Sequence, residues 1–146
     1  MHFVKKCIRV LQCSIQTAAV AYCIVEFGAD FVICSGASME PTIKTRDIVL
    51  TEHVSIALRN IQSRGDIVVA KSPSNPLQFV CKRIKAVPGD IQTSGQVVPI
   101  GHVWLQGDNE GNSTDSRTYG PVPMGLLRGR AMCRVWPPER IAVFTR

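Results

Sequence analysis

Histidine is scarce in this chain, aromatics make up only 6% of it, and the cysteines never fall at C-x-x-C spacing. Each shortage excludes something. Six cysteines without paired spacing or a neighbouring histidine cluster give no zinc site. Cys7, Cys13, Cys23 and Cys34 lie in or beside an apolar N-terminal segment, while Cys81 and Cys133 stand alone further on. They read as small buried hydrophobes, with a Cys81–Cys133 bridge left open but unsupported. The net charge of +6 suits nucleic acid, an anionic membrane or an acidic substrate. No aromatic RNA-binding stripe and no block of Lys and Arg accompanies it, so nucleic acid is not an expected partner. Internal repeats and low-complexity tracts are also missing. The 146 residues suffice for one domain plus an arm.

A long apolar run is lacking too. The uncharged stretch from Val10 to Val25 falls short of the roughly 20 residues of a spanning helix. Extending it to Cys34 means accepting Glu26 and Asp30, at about 2–3 kcal/mol for a central carboxylate. Ile8, Leu11, Ile15, Ala18, Tyr22 and Val25 follow 3-and-4 spacing, so a helix presents them as one seam. A span, an in-plane amphipathic helix and a removable targeting peptide all compete here. The sequence favours an uncleaved N-terminal anchor over residues 1–34 that packs against a partner helix. Lys5, Lys6 and Arg9 would keep that end inside, leaving the body in the opposite compartment.

Residues 35–146 read as a second, mainly β region. Nine prolines and eleven glycines punctuate it and the preceding arm, more than a helix bundle tolerates. Strands are expected at Asp47–Thr51, Ile67–Ala70, Leu77–Val87, Val103–Leu105 and Gly129–Val135. Val54–Ile61 could hold one helical turn, and Ile91–Ile100 resembles a polar hairpin.

Three features carry chemistry. Ser38 sits on the turn Ser35-Gly36-Ala37-Ser38-Met39-Glu40-Pro41-Thr42, between a flexible Gly-Ala approach and a Pro that ends any helix. Alone, such a serine is a turn residue. On the strand Phe79-Val80-Cys81-Lys82-Arg83-Ile84, the period of two sets Lys82 between Val80 and Ile84 on one face. A lysine so flanked is either snorkelling or desolvated, and desolvation lowers its pKa toward that of a usable base. The run Gly107 to Arg117 has no core-forming residue and many short side chains that bond to backbone. Asp115 and Arg117, two apart, could pair and pin it.

A serine nucleophile needs a base. His2, His53 and His102 sit in no motif, and the serine's surroundings fail the G-x-S-x-G pattern at Glu40. Lysine is the other route.

At this point the chain resembles the type I signal peptidase family. The matching stretches are Ser35 to Thr42, Gly65-Asp66-Ile67-Val68-Val69, Lys82-Arg83-Ile84 through Pro88-Gly89-Asp90, and Gly107 to Gly120. They run in family order across nearly the whole body. The short length, the small insert before His102 and Cys81-Lys82-Arg83-Ile84 look most like the mitochondrial branch. The resemblance implies an antiparallel, partly barrel-like β body with an N-terminal helical membrane anchor, and no cofactor. It also implies that Ser38 attacks the scissile carbonyl and Lys82 takes its proton. Ser113 would orient the amine, Asp115 and Arg117 would brace the site, and Met39 would line the substrate pocket. The Ser38 N–H would help to hold the oxyanion; some bacterial members add a serine where this chain has Gly36. For the mitochondrial branch, the implied substrates are precursors with intermembrane-space sorting signals. The implied setting is the inner membrane, catalytic domain toward the intermembrane space, beside a related second protease subunit. Rival readings are a bacterial or plastid signal peptidase, a self-cleaving Ser-Lys repressor, which needs a DNA-binding helix pair, and a silent membrane-tethered binding module.

Overall fold

Short runs of Val, Ile and Thr set between Gly, Pro and Asp turns become strands, since branched side chains fit a pleated surface and the turn residues end it. The computed structural model describes residues 9, 11–20, 22, 28–57, 63–92 and 95–144. Among these lie eight strands: β1 Ala29–Ile33, β2 Ile48–Glu52, β3 Ile67–Lys71, β4 Phe79–Ala86, β5 His102–Gln106, β6 Val122–Pro123, β7 Leu127–Trp136 and β8 Ala142–Val143. The spatial order is β1-β2-β7-β3-β4-β5-β6, with β8 on β7, and the pairings are antiparallel. The mainly β, antiparallel expectation therefore holds. Register shifts interrupt the β2–β7, β3–β7 and β4–β5 ladders. Such bulges bend a strand and add twist, so the sheet curls.

The centre of the sheet is buried on both sides. In β3, Ile67, Val68, Val69 and Ala70 are all buried. Val68 and Ala70 face one apolar cluster with Ile84, Val103, Leu105, Val122 and Leu127. Ile67 faces another, with Cys34, Met39, Ile43, Val49 and Ala131. The alternation is the strand period at work. Each fully buried Val or Ile contributes about 1.5–3 kcal/mol. In the second cluster, Met39 and Ile43 are the apolar feet of the Ser38 turn.

Two parts differ from the sequence reading. Residues 29–33, grouped there with the apolar arm, form β1 and pair with β2 from Ala29↔Glu52 to Ile33↔Ile48. Phe31, Val32 and Ile33 are good strand formers, and β2 supplies the backbone partners that the arm's own pattern did not reveal. Leu11, Ile15 and Tyr22 lie on helical residues and are exposed, whereas Ile8 and Val25 of the expected seam lie outside the described residues. No helix among the described residues is long and apolar enough to cross a membrane. The ambiguous stretch after β2 holds a one-turn helix, Val54–Ala57. The expected hairpin closes through an Ile91↔Val97 bridge.

Candidate active site

The Ser38 turn is held from three directions. Gly36 has φ +92°, a conformation that side chains other than glycine's resist. Glu40 N–H donates to the Ala37 carbonyl at 3.2 Å and Ile43 N–H to that of Met39 at 2.9 Å. Beneath the turn, Met39 and Ile43 are only 3% and 1% exposed. Beside it, the Asn109 backbone N–H donates to the Ser38 carbonyl at 3.0 Å, and Asn109 Nδ2 donates to the Ala37 carbonyl at 3.0 Å. Further along, Thr42 Oγ1 donates to Asp108 at 2.6 Å, and Arg134 Nη1 donates to the Thr42 carbonyl at 2.6 Å. Arg134 and Arg140 also reach the buried carboxylate of Asp47.

Lys82 lies where the strand period puts it, buried at 3% exposure on the face it shares with Ile84. Its Nζ donates to Ser113 Oγ at 3.0 Å. Ser113 Oγ in turn donates to Asp115 Oδ2 at 2.7 Å. Asp115 is fully buried and accepts from the Gly107 N–H at 3.0 Å and from Arg117 Nε and Nη2, both at 2.9 Å. Burial by itself would raise the Asp115 pKa, but the bonds from Arg117, Gly107 and Ser113 outweigh it and hold the carboxyl at about 2. For Lys82 the order is reversed. Burial dominates and lowers the amine below its ordinary value, with the Asp115 charge pulling the other way.

The loop depends on Gly107. A Cβ there would stand 2.3 Å from Ser113 Oγ and 2.4 Å from the Ser38 carbonyl oxygen. The loop therefore touches the Ser38 turn and the lysine's partner through one residue that has no side chain. Asp108, next in line, accepts from Arg83 Nε and Nη2 at 2.8 and 2.7 Å, which ties the loop to the opposite face of β4.

Ser38, Met39 and Lys82 line one cavity of about 610 Å3, together with Cys81, Thr114 and Tyr119. The structure thus brings together every residue singled out in the sequence: Ser38, Met39 and Lys82 on the wall, Ser113 and Asp115 behind the amine, and Arg117 outside Asp115. Neither His53, which reaches Asp30 at 3.3 Å, nor His102, whose ring contacts the Ile100 carbonyl at 3.2 Å, lines that cavity. Cys81 and Cys133 are both free; Cys81 instead packs against the cluster that holds Cys34, just beyond β1. Sequence reasoning missed Gly107, Asp108 and Asn109 as supports. Arg83, on the face opposite Lys82 and in need of an acid, was the available signal for Asp108.

This arrangement is a serine on a fixed turn and a desolvated lysine sharing one groove on a curled β-sheet. Residues 7–93 and 91–136 match the family described as signal peptidase, peptidase S26. The chain belongs to that family and is a serine peptidase of the signal peptidase I type. Within it, the chain is 48% identical over 141 residues to mitochondrial inner membrane protease subunit 1 of Homo sapiens, a match covering 90% of this chain and 84% of that protein. Subunit 1 of Schizosaccharomyces pombe is 43% identical over 131 residues, covering 84% and 83%. Mitochondrial inner membrane protease subunit 2 of Mus musculus is 43% identical over 116 residues, covering 72% and 66%. These likenesses assign the chain a mitochondrial signal peptidase function at the inner membrane.

Proposed function

We propose that the chain removes sorting signals from proteins delivered to the intermembrane space, with Ser38 as nucleophile and Lys82 as general base. What carries this assignment is the lysine's bond to Ser113 Oγ in a groove that also holds Ser38. The Ser113 hydrogen is committed to Asp115, so its oxygen faces the amine as an acceptor. A neutral Lys82 then directs one N–H to Ser113 and keeps its lone pair for the Ser38 hydroxyl. As Ser38 Oγ attacks the scissile carbonyl, its proton passes to Lys82, which returns it to the leaving amine. Water, deprotonated by the same amine, releases the acyl group. The Ser38 N–H supports the oxyanion, where one donor is worth about 3 kcal/mol, and Gly36 takes the place of a second side-chain donor. Met39 forms the pocket floor. Asp115 and Arg117 hold the Ser113–Lys82 pair in register.

The substrate enters as an added strand along the groove. Residues 35–146 form the catalytic domain, facing the intermembrane space, and residues 1–34 form the anchor. The exposed Leu11, Ile15 and Tyr22 support a contact between that arm and a related second subunit.

The test is cleavage of an intermembrane-space precursor by the membrane-reconstituted chain, wild type against Lys82→Met. The methionine keeps the apolar stem and removes the amine. Activity should fall about 100- to 10,000-fold with circular dichroism unchanged. Equal cutting by both would move the base elsewhere and sink the dyad.

A further inference from the structure

Two thiols meet in the wall of this groove and take no part in the hydrolysis. Cys34 directly follows β1 and leads into the Ser38 turn, while Cys81 sits on β4 one residue before Lys82. Both line the cavity shared by Ser38 and Lys82. Both pack in one apolar cluster, Cys34 buried with Met39 and Ile43, Cys81 half-buried against them. Each is a free cysteine, and the two thiols are near enough to shift each other's proton affinity. One thiol belongs to the segment that carries the nucleophile, the other to the strand that carries the base.

The pair is polarised. The neighbouring Cys81 thiol lowers Cys34 below its ordinary value, against the opposing effects of burial and of Asp47. Cys34 in turn, with burial, pushes Cys81 well up. These opposite shifts favour Cys34 as the attacking thiol and Cys81 as the resolving one, the division of labour a dithiol needs for oxidation.

The geometry points to a regulatory dithiol: Cys34 and Cys81 form a reversible disulfide under a peroxide-class oxidant, and that bond shuts the peptidase. In the first step the Cys34 thiolate attacks a peroxide oxygen. The O–O bond breaks, leaving Cys34 as a sulfenic acid and hydroxide, which leaves as water with the Cys34 proton. The Cys81 sulfur then displaces the hydroxyl from Cys34, and its own proton goes with that hydroxyl as a second water. The two thiols lose two electrons, the peroxide is reduced to two waters, and a dithiol reductant reverses the change. A disulfide holds its sulfurs at about 2.05 Å, closer than two packed thiols stand. Closing it draws residue 34 toward residue 81, shifting the Ser38 turn relative to Lys82 and narrowing the strand-binding groove. Displacement on the order of 1 Å costs about 100-fold in rate. This loss of activity rests on the hydrolytic mechanism proposed above; the disulfide does not.

The full chain, reconstituted in membranes, is treated with hydrogen peroxide, acid-quenched, alkylated and digested for mass spectrometry. The expected product is a peptide pair joining Cys34 to Cys81, two hydrogens lighter than the separate thiol peptides and separated again by dithiothreitol. Precursor cleavage should fall about tenfold to 100-fold and return on reduction. For Cys34→Ser and Cys81→Ser, each variant's activity with peroxide is divided by its own activity without it, and both ratios should stay near one. Alanine replaces serine wherever the serine variant fails to fold. Absence of the linked peptide, with both thiols alkylated, overturns the dithiol. A linked peptide with undiminished cleavage, or equal peroxide loss in the variants, overturns the shut-off. If the untreated chain cuts no precursor, the hydrolytic reading fails, and the linked peptide still decides the disulfide.

Discussion

Lys82 and Arg83 are adjacent on β4, and the strand turns them to opposite faces. Arg83 meets a carboxylate directly: Asp108 takes two of its N–H groups at 2.8 and 2.7 Å, and the Gly65 carbonyl takes Nη1 at 2.7 Å. Its pKa is raised, chiefly by the bond to Asp108. Lys82 meets the hydroxyl of Ser113, with Asp115 standing one hydroxyl further back. Its pKa is lowered, chiefly by burial. A carboxylate in contact fixes a proton on its partner. Set behind a hydroxyl, it leaves that proton free to move while still fixing the geometry. One strand thus carries a permanent cation for structure and, as proposed, a reversible one for chemistry.

The sharpest way to break this contrast is to put the structural cation on the chemical face. Lys82→Arg gives a guanidinium that does not deprotonate in proteins, so precursor cleavage should fall about 100- to 10,000-fold and stay low across pH 6 to 10 (about the range in which a lysine base could be unmasked). Cleavage within tenfold of wild type would show that Lys82 is no base. Next comes Gly107→Ala, whose methyl would crowd Ser113 and the Ser38 carbonyl at once. Cleavage should drop about 100-fold, and chemical denaturation should show a loss of about 1–3 kcal/mol. An unchanged rate would mean that the loop does not register the serine against the lysine.

Asp115→Asn tests the carboxylate behind the hydroxyl. With Lys82 as the proposed base, activity should require it neutral and fall as pH drops through its pKa; the Asp115 charge holds that pKa up. Removing the charge should move the acid limb of kcat/KM to lower pH, while the plateau falls about tenfold as Ser113 loses its charged acceptor. A limb that moved upward would contradict the assignment. In wild type, the Asp115 pKa of about 2 lies below the ordinary 3.8. The stability it contributes is thus complete above 3.8 and is lost as pH falls toward 2. The smallest effect is expected on the structural face. Arg83→Lys loses the two-pronged grip on Asp108 and should cost about 1–2 kcal/mol in denaturation, with cleavage altered only a few-fold.

Much of this was legible in the residues. Alternation alone placed Lys82 with Ile84 on an apolar face, and the density of short polar residues marked Gly107–Arg117 as a loop held by its own bonds. The nearness of Ser38, Lys82 and Ser113 was not legible from pattern; only the family resemblance supplied it, because contacts between distant segments leave no local period. β1 was hidden for a related reason. Phe31-Val32-Ile33 satisfies an apolar helix as readily as a strand, and the choice rests with β2, reached only later in the chain. Asn109 carries no periodic signal, and its two bonds to the serine turn depend on tertiary folding.

Those two bonds have a temporal meaning. Asn109 lies 72 positions beyond the Ala37 carbonyl it holds, and the Ser113 hydroxyl that seats Lys82 is 31 positions past that lysine. A chain made or moved N-terminus first carries its serine and lysine long before it carries the parts that aim them. On the proposed Ser38–Lys82 mechanism, the peptidase should stay inactive until its last third has folded back on its first.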